Sequence, residues 1–174
     1  LFNYGYIKSL SHPQKRGDHM NKKLNLWLSV IVFEVLGLLS GIFAINARLY
    51  YTQIQLPSFA PPGWIFGPVW TILYAVMGLG HYIIWTKLKG SVRRNILILF
   101  YVQFFLNLIW SWFFFTLKSN LLATIDIVLL LSILYVLQYM YFKYKKTLFY
   151  MFIPYTLWVS FATALTIGVL ILNR

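Results

Sequence analysis

The sequence predicts an all-α integral membrane bundle of five transmembrane helices. Three observations lead there. Residues classed as hydrophobic make up 60% of the chain and charged residues only 10%, whereas soluble domains carry about 25% charged residues. The apolar residues gather into five stretches, each long enough to cross hydrocarbon at helical rise, which takes roughly 20 residues. The stretches lack the strict polar alternation of strands in a membrane barrel and are too long for them, so helices are preferred.

In chain order the predicted spans are residues 24–46, 63–86, 95–117, 121–142 and 148–172. Short polar breaks separate them, which leaves no room for a soluble module. Residues 1–19 are polar and mixed, and Met20-Asn21-Lys22-Lys23 reads as a translation start feeding the first apolar run. Residues 1–19 are therefore expected to be a disordered leader, tag or upstream extension, and residues 20–174 the membrane domain.

The formal net charge of +12 does not imply a nucleic-acid partner, because the fifteen Lys and Arg fall in short clusters between apolar runs. Such clusters suit loops beside anionic lipid rather than a basic groove. Lys22 and Lys23, then Lys87, Lys89, Arg93 and Arg94, then Lys143, Lys145 and Lys146 all fall on one side of a five-span topology. Only Arg48, Lys118 and Arg174 fall on the other. Positive-inside bias then puts the N-terminus in the cytoplasm, the C-terminus outside, and the loop over residues 47–62 on the outer face. With no cysteine in the chain, disulfides, thiolate ligation and cysteine nucleophiles are excluded.

The acids are Asp18, Glu34 and Asp126, too few and too scattered for paired-carboxylate hydrolysis. Glu34 lies about 15 Å into the first span and Asp126 about a turn and a half into the fourth. Ionisable groups at such depth face the bundle interior and mark a pathway or site, or serve as hydrogen-bonded structural groups. His81 has no second His or Cys at ligand spacing, so it reads as an interfacial histidine before a metal or haem ligand. Gly37 and Gly41 form a GxxxG that brings another helix close, within the same bundle or in a homodimer.

Aromatic residues make up 20% of the chain, and many suit the interfacial belts at helix ends. Three stripes are more ordered. Trp70, Tyr74, Met77 and His81 share one helical face, as do Gln103, Asn107, Trp110 and Phe114, while Trp158 is followed on its own face by the smaller Ala162 and Leu165. Each stripe alone reads as core packing. Together they describe one aromatic cavity with a few polar handles, the make-up of a small-molecule site.

Several segments carry a resemblance to a known family. The run from Leu56 to Trp70, with Pro57, Pro61-Pro62 and Pro68-Val69-Trp70, resembles the first loop and second-helix entry of the translocator protein (tryptophan-rich sensory protein) family, also known as the peripheral benzodiazepine receptor family. Asn107-Leu108-Ile109-Trp110-Ser111-Trp112 is similar to its third-helix motif, Ala123-Thr124-Ile125-Asp126 to its fourth, and the run from Pro154 to Thr163 to its fifth. The resemblance covers essentially Met20 to the C-terminus and looks like that of a bacterial-type member.

What it implies is a five-helix protein, often dimeric, of a bacterial plasma membrane, in contact with membrane lipid. Its ligands would be porphyrins such as protoporphyrin IX or haem, with no required cofactor and no metal. The implied ligand site uses Tyr51, Trp70, Tyr74, Asn107, Trp110, Trp158, Ala162 and Leu165, beneath a first loop that Pro57, Pro61 and Pro62 stiffen. This chain has Tyr50-Tyr51 and Leu56 where the family usually has a Trp-Tyr pair and a Lys, and Leu165 to Arg174 lacks the central Tyr of the animal cholesterol-recognition pattern. Sterol binding is therefore not among the expectations. The leading reading is a receptor or carrier that senses tetrapyrroles. The alternatives are an enzyme-like, light- and oxygen-dependent breakdown of porphyrin with Trp70 and Trp158 as redox-active rings, and a proton-coupled solute transporter built on Glu34. The chain lacks the paired half-helix interruptions of many secondary transporters.

Overall fold

The computed structural model describes residues 13–45 and 47–174. Among these there is no strand. The elements are α1 (Pro13–Gly41), a short 3-10 turn (Ile42–Ala44), α2 (Ala47–Gln53), a second 3-10 turn (Gly63–Ile65), α3 (Phe66–Lys87), α4 (Gly90–Ser111), a π-helical turn (Trp112–Thr116), α5 (Asn120–Tyr144) and α6 (Lys146–Leu172). Five segments are long and apolar enough to cross a membrane: Lys23–Gln53, Gly63–Lys87, Gly90–Thr116, Asn120–Tyr144 and Lys146–Leu172. The predicted spans and these five coincide in order and number.

Their ends differ for physical reasons. The third span begins at Gly90 rather than at residue 95, because Ser91 to Arg94 continue the helix beyond the hydrocarbon, where their charges meet water. Helix α1 is continuous from Pro13, so residues 13–19 of the expected leader are helical, while residues 1–12 lie outside the described residues. The cap of α5 follows a familiar rule: the Ser119 hydroxyl accepts from the Leu122 N–H at 3.3 Å. Pro154 sits inside α6 without ending it, as bundle helices in membranes tolerate.

The bundle inverts the usual polarity of its surface. Leu24, Trp27, Ile72 and Leu157 are all more than 60% exposed, an outward apolar face that only lipid satisfies. Inside, α5 runs along α6, α1 along α3 and α4 along α5, and α3 also touches α4 and α6. Small residues set the closest approaches. A Cβ on Gly78 would lie 2.6 Å from the Val30 Cα, and one on Gly37 would fall into the Tyr74 ring. The GxxxG therefore packs α1 against α3 within the bundle through Gly37, whereas nothing lies within 4 Å of a Cβ on Gly41.

The segment over residues 54–62 crosses one end of the bundle and is fastened there. Pro57 is buried against Gly168 of α6, whose added Cβ would meet the proline ring at 2.5 Å. The Gln55 N–H donates to Asn173 Oδ1 at 2.8 Å, and Asn173 Nδ2 donates back to the Gln55 carbonyl at 2.9 Å.

Candidate functional site

Among the helices, from Glu34 on α1 to Ala162 on α6, lies a cavity of about 380 Å³, within the roughly 300–1,000 Å³ of small-molecule sites. Its aromatic wall comes from Tyr51 of α2, Phe66, Trp70 and Tyr74 of α3, Trp110 of α4, and Phe115 of the π-turn. The rings brace one another. Trp70 lies 5.7 Å from Tyr74, Tyr51 stacks on Phe66 at 6.2 Å, and Trp110 stacks on Phe114 at 4.9 Å. Such contacts hold the wall in place before a ligand arrives.

A buried polar chain sets the floor. Tyr74 Oη donates to Asn107 Oδ1 at 2.9 Å, Asn107 Nδ2 donates to Tyr155 Oη at 3.3 Å, and Tyr155 Oη donates to Gln103 Oε1 at 2.7 Å. The four residues are at most 8% exposed. In so apolar a setting each bond is costly to lose, and the sequence of donors fixes which way the Asn107 amide faces. Gln103 Nε2 at the far end has no partner among the described residues.

Of the residues expected from sequence, Tyr51, Trp70, Tyr74, Asn107, Trp110 and Ala162 line this one cavity. Trp158 and Leu165 do not. Successive residues of a helix are turned by about 100°, and the face of α6 that meets the cavity runs through Val159 and Ala162. Trp158 lies one position off that face, its ring 5.8 Å from Phe66, which is itself part of the wall. Leu165 is buried in the packing of α6. Of the other stripe members, Met77 is core and His81 belongs to the far end of the bundle.

Sequence reasoning marked Glu34 and the glycine pair of α1 but did not assign them, or Ser40, to this cavity. Glu34, Gly37, Ser40 and Gly41 all line the cavity, and Ser40 Oγ also donates to the Leu108 carbonyl of α4 at 2.8 Å. The signal was present: residues 34, 37 and 41 follow helical spacing, and the glycine pair was already marked as a close approach. Among the described residues the lining contains no Lys or Arg, and Glu34 is its one carboxylic acid. Asp126 is buried on α5 outside the lining, and its Oδ2 has no partner among the described residues.

The aromatic cavity inside this five-helix bundle holds six of the eight site residues that the family resemblance implied. Residues 29–172 match the TspO/MBR family. The chain belongs to that family. Among relatives of the same family type, the tryptophan-rich protein TspO of Archaeoglobus fulgidus is 33% identical over 152 residues, covering 86% of this chain and 97% of that protein. That of Chlorobaculum tepidum is 36% identical over 157 residues, covering 88% and 99%. The human translocator protein is 31% identical over 118 residues, 67% of this chain and 70% of its own length. The matched region of this TspO/MBR chain contains every cavity residue named above.

Proposed function

We propose that this TspO/MBR-family protein is a membrane receptor or carrier that binds porphyrin-type tetrapyrroles and related hydrophobic ligands in the cavity beneath residues 54–62. The observation that carries the reading is the wall itself: flat rings from α2, α3 and α4 around a space of about 380 Å³, with one oriented amide, Asn107, at its floor. A planar macrocycle stacks on such rings at little entropic cost, since they are already braced. No cation is found in the lining among the described residues, so the propionates of a porphyrin belong at its mouth. The same reading has the protein in a bacterial plasma membrane with its N-terminus cytoplasmic, on the strength of the Lys/Arg bias between loops.

Titration of purified protein with protoporphyrin IX, followed by tryptophan quenching and the porphyrin absorption band, tests the proposal. Trp70→Ala should weaken binding by roughly 1–3 kcal/mol, the scale of stacking on flat heterocycles. Trp27, exposed on the outer face of α1, is the control. Equal losses from Trp70→Ala and Trp27→Ala would remove the cavity from the account.

A second reading is supported by one geometric fact. The Trp70 ring, which lines the ligand space, is 5.7 Å from Tyr74 of the same lining and 6.5 Å from the buried Tyr155 behind it, so three oxidisable rings lie in sequence from the ligand space inward. Light- and oxygen-dependent breakdown of a bound porphyrin would use them. Illumination with and without oxygen, comparing wild type with Trp70→Phe, separates binding alone from turnover.

A further inference from the structure

A second hollow, of about 490 Å³, lies at the opposite end of the bundle between α1, α3 and α4. Its sides are formed by Leu28, Val32 and Phe33 from α1, His81 and Trp85 from α3, and Tyr101 from α4. Phe33 is buried, but Leu28, Val32, Trp85 and Tyr101 are 44–57% exposed. The hollow is thus a groove that opens sideways onto the lipid-facing surface.

The polar groups of Ser29, His81 and Tyr101 are already engaged with one another or with the backbone. The Ser29 hydroxyl has one proton, and it goes to the Gly78 carbonyl at 2.9 Å. The 2.9 Å contact between Ser29 Oγ and His81 Nδ1 therefore takes its proton from the ring. The other nitrogen, Nε2, accepts from Tyr101 Oη at 2.8 Å. Both ring nitrogens are occupied, so the imidazole has no lone pair left for a metal. The groove below its rim suits a hydrocarbon chain, not a charge.

The rim is different. Arg93, in the first turns of α4, places its guanidinium over the Trp85 ring, 5.3 Å from the centroid, and donates one N–H to the Trp85 carbonyl at 3.3 Å. The rest of its five-donor fork makes no hydrogen bond to a described residue. Lys23, Lys87, Lys89 and Arg94 are exposed at the same end. The acids whose side chains are described, Glu34 and Asp126, lie deeper in α1 and near the start of α5. A largely apolar lateral groove thus ends in a fork of cationic donors with no acid beside it among the described side chains. That is the charge and shape complement of an anionic amphiphile.

We propose that this groove seats one acyl chain of an anionic phospholipid, whose phosphate is held at the rim by Arg93. The site is separate from the aromatic cavity and does not depend on what that cavity binds.

Native mass spectrometry of the delipidated full-length chain, titrated with phosphatidylglycerol and with phosphatidylcholine, tests this. The wild type should bind one phosphatidylglycerol ahead of any phosphatidylcholine. Arg93→Gln should lower that preference about fivefold, the effect of one cation beside anionic lipid, while Arg94→Gln leaves it nearly unchanged. Val32→Trp fills the groove from its lipid side without touching a charge, and should remove the first phosphatidylglycerol. Circular dichroism on each variant confirms that the helices are retained. Absence of a lipid preference in the wild type, equal losses from Arg93→Gln and Arg94→Gln, or full retention by Val32→Trp would each overturn the proposal in favour of diffuse charge attraction.

Discussion

Replacing Gly37 with Ala adds a single methyl group at the point where α1 and α3 come closest. That methyl would fall on the Tyr74 ring, against Cδ2 and Cε2, so the ring must move. Tyr74 is only 8% exposed and its hydroxyl donates to Asn107, which leaves it little freedom. Overpacking of this kind costs about 1–3 kcal/mol, against a gain of up to about 1 kcal/mol from replacing glycine inside a helix. If the ring's shift breaks the bond to Asn107, a buried acceptor is stranded at a further cost of about 1–3 kcal/mol. The expected result is a net destabilisation on the order of 1–3 kcal/mol and a reshaped cavity. Gly41→Ala is the matched control, because a methyl there meets nothing within 4 Å and its backbone is in the ordinary helical region at φ −61. It should be neutral or slightly stabilising. Unfolding by sodium dodecyl sulfate in mixed micelles, followed by circular dichroism, reads both. If Gly37→Ala is as stable as Gly41→Ala, the close packing of α1 on α3 is wrong.

Further outcomes follow from the same structure. Cysteines at Lys23, Arg93, Lys145 and Ser58 enter a chain without native cysteine; an impermeant thiol reagent applied to whole cells should label only Ser58→Cys, and equal labelling of Arg93→Cys would reverse or void the topology. Tyr155→Phe removes the middle of the polar chain, leaving the Gln103 carbonyl and the Asn107 amide unpaired, and should cost about 1–3 kcal/mol in the same unfolding assay; no loss would mean that the chain is not held together as described. Glu34→Gln keeps the shape of the cavity edge, so porphyrin affinity should remain near wild type, and liposomes with wild-type protein should show no ligand-driven proton uptake. Robust proton movement abolished by Glu34→Gln would favour transport instead.

The spans, their order and most of the cavity wall were legible in the sequence because they rest on local rules. Apolar length gives a membrane helix, and spacing along a helix gives a shared face. Trp70 with Tyr74, and Asn107 with Trp110, came from such spacing and face the same space. Trp158 shows where the method stops. Periodicity identifies a stripe but not its rotation about the helix axis, and α6 is apolar nearly all round, so nothing in its own sequence says that Val159 faces inward and Trp158 lies beside the wall. Glu34 was singled out by its depth in the span, but that it and Ser40 join this particular cavity was hidden for another reason: it depends on how closely α1 approaches α3 and α4, which is set by Gly37 and Gly78 on two different helices. The pairing of Gln55 with Asn173 joins positions 118 residues apart and leaves no local signature.

That pairing ties the loop to a helix that also walls the cavity. Residues 54–62 are held to α6 by two reciprocal hydrogen bonds and by the seating of Pro57 on Gly168, and α6 also supplies Val159 and Ala162 to the cavity lining. Lifting the loop from the end of the bundle therefore requires both hydrogen bonds and the proline contact to be released together. None of Gln55, Pro57, Gly168 and Asn173 belongs to the cavity lining, so the fastening of the loop and the bracing of the aromatic wall rest on different residues.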